Sequence, residues 1–124
     1  MAASAAIAGK IEREYMKEVV KPAIAKAKKT YKSSCGCALT VVADPSMKTK
    51  DDLNLIRSTV NSVEREVGKY CSDKESKAAV CKMKTLKIVK ADDTGFSFSG
   101  STGTAKSDGQ SYVSFDMMTD VIDQ

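Results

Sequence analysis

Four cysteines, Cys35, Cys37, Cys71 and Cys81, carry the most specific chemistry in this 124-residue chain. They could form two disulfides, a four-thiolate zinc site or a redox-active Cys35-Gly36-Cys37 pair. Zinc knuckles usually hold two or more residues between paired cysteines, and thiol redox motifs use a two-residue spacer. Here one glycine separates the first pair and nine residues separate the second. Two structural disulfides fit best, with no metal and no cofactor expected. A direct Cys35–Cys37 bridge would be strained, so each is expected to reach Cys71 or Cys81, and spacing leaves the pairing open. Two bridges in a small, Lys-rich chain indicate an oxidising compartment and hence a periplasmic or secreted protein.

The chain contains no His. That removes Ser-His-Asp and Cys-His nucleophile systems, an imidazole general base and a His metal ligand. The other constellations have plainer explanations. Asp92 and Asp93 fall in a turn signal, Ala91–Gly95. Glu12, Glu14 and Glu18 lie beside Lys10, Lys17 and Lys21 as helix-surface pairs. Gly95, Gly100, Gly103 and Gly109 are too dispersed to cradle a phosphate. No catalytic residue is expected, and the chain is read as a non-enzyme.

Binding surfaces are what the composition leaves. Net charge is +4, but residues 91–124 hold a single cation, Lys106, and six Asp, so the first part is basic and the tail acidic. Lys26, Lys28, Lys29 and Lys32 form the densest basic run, followed by Lys82, Lys84, Lys87 and Lys90. Tyr31 is the one aromatic residue within the first run, and only three of the twenty cations are Arg. Nucleic acid is therefore a weaker expectation than a solvated face. The segment from Phe96 to Ser111 is the sharper candidate. Phe96 and Phe98 share one strand face, and a polar Gly/Ser loop over 101–110 follows. Read as a mobile element inserted into a partner's cleft, it offers Phe96, Phe98, Ser101, Thr102, Lys106, Asp108 and Gln110 as contacts.

The elements that must position these residues are legible in outline. Ser4 to Lys32 is rich in helix formers, with Ile7, Ile11, Tyr15 and Val19 in one stripe, Ser4 as N-cap and a break or kink expected at Pro22. Cys37–Asp44 reads as a buried, central strand. Thr49 opens a second helix with Asp52 in a capping box, and Leu53, Ile56, Val60, Val63, Val67 and Tyr70 give it one apolar face. Ser72–Lys77 reads as a loop; Lys82–Lys90, Phe96–Gly100 and Tyr112–Met118 read as strands. This predicts one α+β domain in the order α-β-α-β-β-β, with a four-stranded, largely antiparallel sheet and two helices on one face. The first strand spans roughly 23 Å. The second helix runs back roughly 30 Å. All four sulfurs should therefore meet at one pole.

The opening MAASAAIAG lacks the basic and apolar regions of an intact signal peptide, and residues 1–6 are expected to be disordered or an expression-derived start. No apolar run approaches the roughly 18 residues of a membrane span. The functional expectation is an exported domain that binds another protein, of inhibitor or immunity type, blocking an enzyme or toxin. The alternatives are a subunit or adaptor of a secretion, pilus-like or envelope assembly, and a binder of nucleic acid or anionic polymer through the Lys-rich helix. A homodimer is compatible with all of them.

Overall fold

A computed structural model describes the backbone of residues 2–123 and the side chains of residues 9–123. α1 begins at Ala2, so Ser4 lies inside the helix and not, as expected, at its N-cap; the side chains of residues 1–6 lie outside the described residues. The chain opens with α1 (Ala2–Tyr15) and α2 (Lys21–Cys35), joined through a π-helical turn at Met16–Val20. The Lys21 amide donates to the Met16 carbonyl five residues back. Pro22 follows in the first turn of α2, so the proline is absorbed by a widened turn and does not split the helix. Gly36, at φ 76°, closes α2 in the left-handed conformation.

Next come β1 (Thr40–Ala43) and α3 (Lys50–Tyr70), then a short α4 (Lys74–Val80) where a loop was expected. The Asp73 side chain accepts from the Ser76 amide and caps α4. The capping box that opens α3 is present as expected, with Thr49 accepting from the Asp52 amide and Asp52 accepting from that of Thr49. The chain ends with β2 (Thr85–Lys90), β3 (Gly95–Ser99), β4 (Thr102–Ser107) and α5 (Phe115–Ile122).

The sheet order is β1-β2-β4-β3. β1 runs parallel to β2 and β2 parallel to β4; β3 alone is antiparallel, to β4. The expected antiparallel meander is thus corrected to a mixed, mostly parallel sheet. Two expectations caused the difference. The flexible loop expected over 101–110 is instead a strand at 102–107, β4, which inserts between β2 and β3. The last strand expected over Tyr112–Met118 is instead a helix, which Ser114 caps by accepting from the Met117 amide. In that helix Phe115, Met118, Thr119 and Ile122 are buried at helical spacing. β1 is shorter than expected and lies at an edge, not the centre.

The helices cover one face of the sheet. α3 contributes Ile56, Val60, Val63 and Val67 to the core, the π-helical turn contributes Val20, and α2 contributes Ala27 and Tyr31, all fully buried. Burial holds the Tyr31 hydroxyl well above the usual tyrosine range. Its proton is shared between the carbonyls of Val80 at 2.7 Å and Met83 at 2.8 Å, tying α2 to the α4–β2 junction. α5 packs against α3, α4 and β3. The Ser62 hydroxyl accepts from the Phe115 amide at 3.1 Å, anchoring the α5 entrance to α3.

Candidate functional site

The sulfurs meet at one pole, as the element lengths predicted. Cys35 bonds Cys71, and Cys37 bonds Cys81. The first bridge ties the ends of α2 and α3; the second ties the start of the β1 segment to the end of α4. The first holds the helical layer together and the second fastens that layer to the sheet, a structural role for both.

The contact set drawn from residues 96–110 does not come together. Phe96 and Phe98 are half-buried and pack against the core, on the helix-covered face of β3. Ser101 sits in the tight β3–β4 turn, and its carbonyl accepts from the Lys84 and Thr85 amides. Asp108 and Gln110 lie past the far end of β4. There the Asp108 carboxylate accepts from the Gln110 and Ser111 amides, both at 2.9 Å, bonds that hold it below the usual carboxylate range. Only Thr102 and Lys106 share a surface, and the surface they share is larger than the expected loop.

That surface is the sheet face opposite the helices, and strand alternation sets its make-up. In β2 Leu86 and Ile88 turn into the core, which leaves Thr85, Lys87 and Val89 on the other face. In β4 Gly103, Ala105 and Ser107 are buried, which leaves Thr102, Thr104 and Lys106. Strand pairing aligns the open positions in rows. Thr40, Thr85, Thr102 and Ser99 form one; Val42, Lys87, Thr104 and Ser97 form the next; Val89, Lys106 and Gly95 form a third. Neighbours within a row are about 4.8 Å apart. The result is a field of six hydroxyls and two ammonium groups with no carboxylate on the strands. Asp44 lies at the rim; its carboxylate accepts from the Ser46 amide and is held below its usual range chiefly by that bond, with Lys87 adding to the effect. Thr40, Thr85, Lys87, Ser97, Ser99 and Thr104 were missed as site residues. The period-two alternation of Thr102, Thr104 and Lys106 with Gly103, Ala105 and Ser107 was the signal for them.

Two further features lie on the helical side. The Tyr70 hydroxyl donates to Asp116, and Lys69 Nζ stands 3.6 Å from the same carboxylate. The hydrogen bond from Tyr70 and then one from Glu66 hold Asp116 low; burial, then the bond to Asp116, pushes Glu66 up. This cluster joins α3 to α5. A groove of about 360 Å³ lies between α1 and the β1–α3 loop, with Met16, Pro45, Met47 and Leu53 among its apolar lining.

No family model, no curated protein and no solved structure matches this chain. Among the described residues no helix is long and apolar enough to cross a membrane.

Proposed function

We propose that this chain is an exported, non-enzymatic protein-binding domain of inhibitor or immunity type that docks its open sheet face on an acidic surface of a partner enzyme or toxin. The observation that carries the reading is the charge of that face. Lys87 and Lys106 stand among Thr and Ser hydroxyls on rigid central strands, with no acid between them. A second copy stacked on the face would bring lysines against lysines, whereas an acidic surface would be matched. The two disulfides suit an oxidising, periplasmic or extracellular setting. A sheet face blocks a partner by covering it, not by inserting a loop, so the mode differs from the one expected for residues 96–110.

The reading is tested by affinity capture from the exported fraction of the source cells. Wild type, K87E/K106E and a helix-side control, K29E, are compared at matched thermal stability. A partner recovered with wild type and K29E, but at least about tenfold less with K87E/K106E, is expected. Equal recovery with all three contradicts the reading.

A subunit role in an assembly is favoured by one specific observation. Ile11 on α1 is 49% exposed. The Tyr15 hydroxyl bonds Asn54 at 3.0 Å in the first turns of α3, so the α1 residues before it run beyond the start of α3. Concentration-dependent oligomers in sedimentation, lost on Ile11→Lys, would support that reading over the first.

A further inference from the structure

We infer that the free edge of β1, together with the lysine stripe of α2 above it, is a second binding site, for an extended acidic segment of another protein that joins the sheet as a fifth strand. This stands on the β1 backbone edge and the α2 lysines, where the open-face reading stands on Lys87 and Lys106, and it does not depend on that reading.

The edge comes first. The Thr40 amide donates to Lys84 O and the Asp44 amide to Ile88 O, both at 2.9 Å. In a parallel ladder this directs the even-numbered amides inward to β2 and the Val41 and Ala43 N–H and C=O groups outward. β1 pairs with β2 and is the end strand of the sheet. Natural edges are usually blunted by charges, a proline within the strand or a bulge. Cys37–Ala43 carries no charge and no proline, and Val42 is 43% exposed.

The helix above supplies the selectivity. α2 buries Ala27, Tyr31 and Cys35 below it and touches both α3 and β1. Its α3 side is marked by Lys26, 3.9 Å from Glu64, and by Ser34 beside Gly68. The helical repeat then places Lys21, Lys28 and Lys32 together on the flank away from α3, beyond the β1 edge. All three are exposed, and none forms an ion pair among the described residues. α2 itself contains no Asp or Glu. A strand added to β1 would turn alternate side chains towards this stripe. Carboxylates at those positions would meet three ammonium groups, while apolar residues between them would cover Val42 on the opposite face. A second copy of β1 would bring its own lysine stripe against the first, so an acidic segment is favoured over self-pairing.

The test uses a fluorescein-labelled peptide of nine alternating Val and Glu residues, the whole protein and low ionic strength. Saturable binding is expected, weakened about tenfold or more by K21E/K28E/K32E and unaffected by K87E/K106E. The same peptide N-methylated at alternate residues, which cannot complete the ladder, is expected not to bind. Amide exchange should slow at Val41 and Ala43 on binding while staying slow throughout at Val42. Absence of binding, equal binding of the N-methylated peptide, equal or tighter binding of a single-stranded DNA of matched charge, or a β1-mediated dimer in sedimentation would each overturn the inference.

Discussion

At the scale of single residues, the titratable groups divide by the sign of their effect. Asp44, Asp73 and Asp108 accept backbone amides of their own turns, and each is held below its ordinary range chiefly by those bonds. A carboxylate lowered in the folded chain adds stability that is present above the ordinary carboxylate range and lost as pH falls through the folded value. Glu66 is raised, first by burial, and has the opposite sign. Its contribution is complete below the ordinary glutamate range and disappears as pH rises through the raised value. Glu66→Gln is therefore expected to remove the decline in stability just above the glutamate range while leaving the acid limb intact. Urea unfolding across a pH series checks this. An unchanged profile would mean that the Glu66 carboxyl is not held between α3 and α5.

At the scale of elements, β4 determines whether the sheet closes, and Gly103 determines whether β4 fits. A Cβ at Gly103 would lie 2.6 Å from the Met83 sulfur and closer still to the Phe96 ring. Both neighbours pack in the core, so Gly103→Ala is expected to cost about 1–3 kcal/mol by overpacking. A matched Thr104→Ala on the open face should cost far less. Denaturant melts of the two variants measure the difference, and equal costs would contradict the placement of β4. The same strand shows where sequence reading stops. α3 was legible because Leu53, Ile56, Val60, Val63 and Val67 repeat at helical spacing behind a capping box. β4 was not, because its buried face is Gly103, Ala105 and Ser107, which offers no apolar contrast with Thr102, Thr104 and Lys106. α5 was misread for a related reason. Val113, Phe115 and Met117 alternate like a strand, while the helical set Phe115, Met118, Thr119 and Ile122 includes a threonine. Strand order was beyond reach, since nothing local to residues 95–107 says that β4 pairs on both sides.

At the scale of the whole molecule, one bridge joins α2 to α3 within the helical layer, the other fastens α4 to the segment leading into β1, and the opposite side of the sheet is left bare. Convergence of the cysteines was legible from element lengths alone; the pairing was not, because all four sit at one pole. Each bridge closes a long stretch, with sequence separations of 36 and 44 residues. Replacing either pair, Cys35→Ser with Cys71→Ser or Cys37→Ser with Cys81→Ser, should cost about 3–4 kcal/mol by the chain-entropy model. Thermal melts against the oxidised wild type test this, and a cost near zero for either pair would mean that bridge does not hold together the elements it joins. The bare face is where the account rests most of its weight. It is tested most directly by placing a photo-crosslinking amino acid at position 104, in the middle of the face, and at position 65 on the helical side, then irradiating each in the native exported fraction. The account predicts an adduct with one acidic protein from position 104, abolished by K87E/K106E, and none from position 65. Adducts from position 65 alone, or an adduct at position 104 indifferent to both lysines, would contradict it.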